Sequence, residues 1–438
     1  MKLSYYIIET SLQNRGLLLI STRFESYLIL DEMFASKYLN YKDTDNLEFL
    51  DETLKEALIE YQMLIDDDED EYAQIVNEHW SDRTAESDIL SLTVATTLGC
   101  NLSCSYCFEK NKHPLHLSSE DEDSIFAFVQ NRLRNVKEGL ILSWFGGEPL
   151  LGIKSIERLS KRFLRLTSFS AKSYSASIIT NGVLLTEENA KILKHSLVNY
   201  VQITMDGDKE LHNKMRPTVN NKGSYDDVLK GVMVSRKYFA TSIRINLNQN
   251  NLDSVKKLLH TLAELELFDV NIDFSPVVAS EEDINRDERI YLTREEFANI
   301  ELELSALLKK LGFSIRSKLG LSEGHIPCAA LDPNNFVIEP NGTVHRCVEF
   351  VGNSSNPVGH LKEGKLSPLK YEDFWKSYNL FTLYQAEEED DCNNCKYLPL
   401  CYGDCPTKRV RGHNKKKYIC TPLRFNLEEM LKLELDLV

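Results

Sequence analysis

Cysteine is missing from the first 99 residues and again from the whole stretch between Cys107 and Cys328. All ten cysteines therefore fall into two neighbourhoods, a loop of three and a C-terminal set of seven. No apolar run reaches membrane-spanning length, and the opening residues Met1 to Thr10 lack the basic head, apolar stretch and small-residue cleavage site of a signal peptide. The expectation is a cytoplasmic chain with no membrane partner. In that compartment the thiols stay reduced, so their clustering points to metal rather than to a disulfide framework. Basic charge is also short. Against 67 acidic residues stand 51 Lys and Arg, a net charge of −16, which repels phosphate backbones and argues against a nucleic-acid partner. With 42% hydrophobic and 27% charged residues over 438 positions, the composition excludes wholesale disorder and leaves room for about three domains.

What is present is a repeated strand–helix pattern. Apolar, β-branched segments stand near 90–98, 140–145, 174–180, 200–205, 242–247 and 270–275. Between them run helical stripes: Ile125, Phe126, Val129 and Leu133 behind Ser118; Ile156, Leu159, Phe163 and Leu166; Val255, Leu258, Leu259 and Leu262. A capping signal at Thr293 opens a further helix. Six such units predict a parallel sheet curled toward a barrel but short of eight strands, with function on the loops after the C-terminal strand ends. The unusual strings fall there: the cysteine loop after strand one, Gly146-Gly147-Glu148-Pro149 after strand two, Thr180-Asn181-Gly182 after strand three, Asp206-Gly207 after strand four and Pro276 after strand six. Residues 1–85 read as a small α+β module. It has strands at Tyr5 to Glu9 and Leu17 to Ser21, helices near 32–39, 50–64 and 72–80, and a solvated acidic turn from Asp66 to Glu71.

Cys100, Cys104 and Cys107 place three thiols within eight positions and no histidine or fourth cysteine beside them. Structural zinc wants four ligands, whereas three thiolates on a [4Fe–4S] cluster leave one iron open to a small molecule. C-x3-C-x2-C after the first strand of a partial (β/α)6 barrel resembles the radical S-adenosylmethionine (SAM) superfamily. That resemblance implies S-adenosylmethionine as cofactor, chelated by the open iron and cleaved reductively to a 5′-deoxyadenosyl radical. It also implies roles for individual residues. Gly146, Gly147, Glu148 and Pro149 resemble the motif that holds the methionine ammonium, and Tyr106 matches the aromatic lying against adenosine. Thr180 and Asn181 stand on the same rim. Ile203-Thr204-Met205-Asp206-Gly207 with His212 and Arg216 resembles a further cofactor-binding stretch, Thr204 touching the cofactor and Arg216 meeting its carboxylate. Asp206 is equally readable as a turn or helix cap.

The seven later cysteines are Cys328, Cys347, Cys392, Cys395, Cys401, Cys405 and Cys420. Taken alone, the C-x2-C-x5-C string also suits zinc ribbons. The full order resembles the SPASM domain, which implies two auxiliary [4Fe–4S] clusters and so three clusters in all. By that resemblance Cys392, Cys395, Cys401 and Cys420 ligate the outer cluster and Cys328, Cys347 and Cys405 the inner one. Four nearby histidines, His325, His345, His360 and His413, read as surface or supporting residues, and the basic run Lys408 to Lys417 as local charge compensation or a substrate-facing patch.

The resemblance covers about residues 90 to 424 and predicts this organisation: residues 1–85 a peptide-recognition (RRE-like) module, 90–310 the barrel, 311–424 the SPASM domain and 425–438 a C-terminal helix. Enzymes of this kind modify peptides or proteins, which implies a precursor peptide with a leader and a flavodoxin- or ferredoxin-type electron donor. Two substrate classes compete: a maturase that cross-links a short precursor (carbon–carbon, as lysine to tryptophan, or thioether) and an anaerobic sulfatase maturase that makes formylglycine. The latter carries C-D-F-Y where this chain has Cys347-Val348-Glu349-Phe350. Val348 cannot take a proton and Glu349, the candidate base, is shifted by one residue. Sulfatase maturases also carry a further cysteine absent here between Cys328 and Cys347. The expectation is the cross-linking maturase. A non-catalytic, metal-stabilised scaffold is the rival from another class.

Overall fold

The computed structural model describes every residue except 14–15, 85–86, 108, 110–112, 278–289, 318, 320–327, 354–355, 371–391, 404, 408–419 and 438. His325, His413 and the run Lys408 to Lys417 lie outside the described residues.

Six parallel strands form the heart of the chain, and they fall where the hydrophobic pattern puts them. They are β6 (Ile89–Ala95), β7 (Gly139–Phe145), β8 (Ser173–Thr180), β9 (Val198–Thr204), β10 (Ala240–Leu247) and β11 (Asn271–Pro276), hydrogen-bonded in that order. Helices α4 (Ser119–Arg132), α5 (Ile153–Phe169), α6 (Glu187–His195), α7 (Lys209–Met215), α8 (Tyr225–Ser235) and α9 (Leu252–Glu264) connect them. After the last strand comes α10 (Arg294–Leu311), started by a capping box between Thr293 and Glu296. Leu92, Trp144, Ile178, Val201 and Ile245 from the strands and Ile156, Phe163, Val255 and Leu259 from the helices meet in one fully buried core. Burying each such side chain stabilises by about 1.5–3 kcal/mol, and the strand ends inherit that rigidity.

The sheet does not stop at six strands. β12 (Asn335–Ile338) pairs in parallel with β6, Val337 opposite Thr93. From it β13 (Thr343–His345), β14 (Gly359–Lys362) and β15 (Lys365–Pro368) continue as an antiparallel meander. The expected boundary at residue 311 is thus crossed by one continuous sheet of ten strands.

The N-terminal module has three sheet strands where the sequence suggested two. β2 (Ile7–Leu12), β3 (Gly16–Ser21) and β4 (Ser26–Leu30) are antiparallel, and the short β1 (Lys2–Leu3) pairs with β5 (Leu64–Ile65). Ser26–Leu30 escaped notice because a short apolar run carries no period that separates strand from helix. Helices α1 (Glu32–Thr44), α2 (Glu52–Glu60) and α3 (Glu71–Thr84) complete the module. One face of β2–β3 (Ile7, Leu17, Leu19) packs on Tyr38, Leu54 and Leu58. The other (Ile8, Leu18, Ile20) packs on Leu427 and Leu431 of the C-terminal helix α11 (Leu423–Glu434), as alternation along a two-sided strand requires. No described helix is long and apolar enough to cross a membrane.

Candidate functional site

The loop after β6 is built before any metal is considered. Ser103 N–H donates to Pro217 O (2.8 Å), Ser105 N–H to Met215 O (3.0 Å) and Val219 N–H to Asn101 O (3.1 Å), pinning the cysteine loop to the chain between α7 and α8. Behind it the end of β7 approaches too closely for side chains. Gly146 has φ +128°, and a Cβ there would lie 2.2 Å from Thr97 O; at Gly147 one would lie 2.4 Å from Gly99 O. Both glycines are therefore demanded by the contact between strand end and cysteine loop.

Glu148 has a different task from the two glycines. Its carboxylate, fully buried, accepts from Thr180 Oγ1 (2.7 Å), Asn181 N–H (2.8 Å) and Leu150 N–H (3.0 Å). It clamps the ends of β7 and β8 together. Burial pushes its pKa up, and the three donors oppose that shift. Pro149 stands behind it, its carbonyl accepting from Thr96 Oγ1 at 2.9 Å.

A cavity of about 240 Å³ opens at this rim. It is bordered by Cys100, Cys104 and Cys107, by Gly146 and Gly147, and by Thr180, Asn181 and Thr204. Tyr106, Arg216 and Glu349 reach the same space. The structure thus gathers around one cavity most of the residues singled out from sequence; Glu148, Pro149 and Asp206 stand behind its wall.

Asp206 is the hub of that wall. Fully buried, its Oδ1 accepts from Asn246 N–H (2.9 Å) and Nδ2 (3.2 Å), and its Oδ2 takes the Tyr106 hydroxyl and Arg216 Nη1 (3.4 Å). The cap of α7 is Asp208, which accepts from Leu211 N–H, so the helix-cap reading of Asp206 gives way to one in which it ties three elements together. Burial by itself would lower the pKa of Arg216, but Tyr106, Cys104 and Asp206 outweigh it and hold the guanidinium charged. His212 lies beneath, with Asp206 N–H 3.4 Å from its Nδ1 and Ser224 Oγ 3.2 Å from its Nε2. Burial and the neighbouring Arg216 push it down to about 3, so it is a neutral packing residue.

Sequence reasoning missed Gln202, Arg244 and Asn246, which also border the cavity. Their signal was present: polar residues two apart at the C-terminal ends of β9 and β10, with Thr204 facing Arg244 in register.

The three thiols fit an iron–sulfur cluster better than one ion. Among the described residues no three His, Cys, Asp or Glu side chains are arranged to share a single metal. A zinc ion would need four ligands drawn to about 2.3 Å from one centre, whereas a cluster spreads its thiolates over separate irons. Cys100 Sγ already receives two donors, Leu102 N–H at 3.4 Å and Asn181 Nδ2 at 3.8 Å, the kind of bond that stabilises a metal-bound thiolate.

The C-terminal cysteines are assembled differently. Arg424 Nη1 donates to Cys420 Sγ at 3.8 Å; that bond first, against burial and with the charges of Cys420, Cys395 and Cys392, raises its pKa. After Cys401 the backbone takes two left-handed steps, Tyr402 (φ 42°) and Gly403 (φ 84°). Cys347 packs against the barrel core and Cys328 is exposed. His345 is fully buried, its Nε2 3.2 Å from Glu339 Oε1, whereas His360 is exposed.

Comparison with known proteins places these features. The family model of the Radical SAM superfamily matches residues 94–262. A cysteine-type anaerobic sulfatase-maturating enzyme of Clostridium novyi (strain NT) is 24% identical over 324 residues, spanning 70% of this chain and 84% of the relative. Among solved structures, native anSMEcpe with bound AdoMet and Cp18Cys peptide aligns at TM-score 0.62 and 20% identity, covering 80% of this chain and 100% of that one. SuiB of Streptococcus suis bound to precursor peptide SuiA aligns at TM-score 0.54 and 14% identity, covering 95% and 98%.

Proposed function

We propose, from the premise that residues 94–262 are a radical SAM domain, that the chain is a maturase that closes a cross-link in a ribosomally made precursor peptide. The family binds S-adenosylmethionine and a [4Fe–4S] cluster; here Cys100, Cys104 and Cys107 would hold the cluster. Such a cluster, reduced by an external donor, would supply the electron for reductive cleavage of bound S-adenosylmethionine, the source of hydrogen-abstracting chemistry at this rim.

The chain's own residues do the remaining work. Asn181 and the Leu102 amide orient the Cys100 sulfur. Asp206 fixes Tyr106 and Arg216 at the rim, where the permanently charged guanidinium is suited to a carboxylate. Glu349 borders the same cavity and would accept a proton from the reacting peptide. Cys392, Cys395, Cys401 and Cys420 would hold an outer cluster and Cys328, Cys347 and Cys405 an inner one, fed by a flavodoxin- or ferredoxin-type donor. The module at residues 1–85 would receive the leader as an added strand.

The observation that carries this reading is that the three thiols, the glycine rim and Glu349 border one cavity. The peptide as substrate is supported by SuiB, solved with its precursor and alignable over nearly the whole of this chain. A second reading, formylglycine formation, is favoured by the sulfatase-maturating relatives and by the cavity itself: the one-residue shift does not withdraw Glu349 from it. Anaerobic incubation with S-adenosylmethionine, reductant and a candidate precursor separates the two. A carbon–carbon or thioether cross-link removes two hydrogens and leaves no aldehyde. A sulfatase peptide converted to an aldehyde that a hydrazide probe captures would overturn the cross-linking assignment in favour of the second.

A further inference from the structure

The N-terminal module touches more than the C-terminal helix. Tyr6 and Ile75, 1% and 0% exposed, form an apolar cluster with Leu398, against which Cys392 and Cys395 pack. Around it run polar ties across a sequence gap of hundreds of residues. Tyr5 Oη donates to Asn394 O (2.6 Å), Tyr72 Oη to Asn393 Oδ1 (2.8 Å) and Lys396 Nζ to Ile7 O (2.8 Å), and Thr22 Oγ1 bonds Lys396 O. His79 lies flat on Tyr402, ring centroids 4.9 Å apart and 17° between planes. Residues of β2 and α3 thus form one wall of the loop that carries Cys392, Cys395 and Cys401.

We infer that the N-terminal module is the solvent shield of the outer cysteine centre. Tyr6, Tyr72, Ile75 and His79 cover the face of the loop 392–402 on which half-buried Cys392 and Cys395 pack, and by keeping water from that face they set the reduction potential and oxygen tolerance of whatever those cysteines hold. The inference rests on reading Cys392, Cys395, Cys401 and Cys420 as ligands of an iron–sulfur cluster. Potentials of such clusters follow solvent exposure and the hydrogen bonds around the sulfurs. Water admitted beside a charged centre also weakens every electrostatic interaction there. Capture of a leader by an added strand needs a free sheet edge; it does not call for α3 to bury Ile75 and stack His79 against a cysteine loop. The module therefore has a second task, directed at the metal centre.

The test uses the full chain with Cys100, Cys104 and Cys107 replaced by Ala, so that only auxiliary centres contribute. Adding Cys392→Ala identifies the outer signal as the iron and absorbance that disappear. Against that reference, Ile75→Asp should retain its iron when prepared anaerobically, bleach several-fold faster in air and shift in midpoint potential, with the inner signal unchanged. Ile75→Val should restore the parent behaviour. Tyr72→Phe, which deletes one hydroxyl and leaves packing alone, should give a smaller shift in the same direction and serves if Ile75→Asp does not fold. Parent-like bleaching and potential in iron-replete Ile75→Asp or, failing that protein, in Tyr72→Phe would overturn the shield. Unchanged iron content in Cys392→Ala would instead overturn the cluster reading, and the shield with it.

Discussion

The two cysteine neighbourhoods are built on opposite plans. Cys100, Cys104 and Cys107 sit on one loop at the rim of a parallel sheet, and the loop's backbone bonds go to its own barrel. The outer set is drawn from residues 392 to 420, walled by residues 5–79 and backed by Arg424. The first site inherits order from a core of strands and helices; the second exists only when distant segments have met. On the proposed reading, a site that presents an open iron to cofactor and substrate needs the rigid rim, and a half-buried auxiliary centre needs walls more than it needs a cavity.

The largest expected effect tests that division directly. Cys100→Ala, Cys104→Ala or Cys107→Ala should abolish 5′-deoxyadenosine formation under strong reductant, whereas Cys392→Ala should leave uncoupled cofactor cleavage largely intact. Equal loss in both sets, read by chromatography of the nucleoside, would collapse the distinction. Next comes Glu349→Gln. A positioned base contributes about 10²- to 10⁴-fold, so product should fall by that factor while 5′-deoxyadenosine continues to appear; parallel loss of both would remove Glu349 from the proton-transfer role.

Two substitutions sharpen the account of the rim through stability. Arg216→Ala leaves Asp206 fully buried with its charge uncompensated and should cost about 3–5 kcal/mol in denaturant unfolding. Thr180→Val withdraws one donor from the buried Glu148 and should cost about 1–3 kcal/mol.

The remaining effect is read against pH. His212 titrates near 3 in the folded chain and near 6.5 unfolded. Its contribution is therefore complete above about 6.5 and is lost as pH falls toward 3, where only the unfolded chain takes up the proton, at about 1.4 kcal/mol per pH unit. The stability difference between parent and His212→Gln should narrow across that window; a pH-independent difference would mean that the ring is not held neutral.

Much of the barrel was legible because each of its elements repeats a local signal. Strands 89–95 to 271–276 were found within a few residues, since apolar and β-branched residues recur along each, most of them buried at alternate positions. Strands at 335–338, 343–345, 359–362 and 365–368 were not found: they are three or four residues long, and the pairing of the first with β6, on which the others build, is a long-range event without a local period. In the site, Cys100, Gly146 and Asn181 announced themselves as unusual residues at strand ends. Asn246 and Gln202 were less conspicuous: the polar spacing of two that they share with Arg244 and Thr204 acquires meaning only once β9 and β10 are paired.

The sequence by itself determined the spacing of the thiols, the glycines that let strand end and loop approach, and the period that makes six strands parallel. These are properties of neighbours along the chain, set by sterics and by the alternation of apolar side chains. Tertiary structure alone decided that Glu148 is a clamp, that Asp206 joins Tyr106, Arg216 and Asn246, that Glu349 reaches the cavity beside the cysteine loop, and that the N-terminal module packs against Cys392 and Cys395. Each of those depends on which buried polar or apolar group finds a partner, and a buried group's partner is chosen by packing across the core, where sequence distance carries no weight.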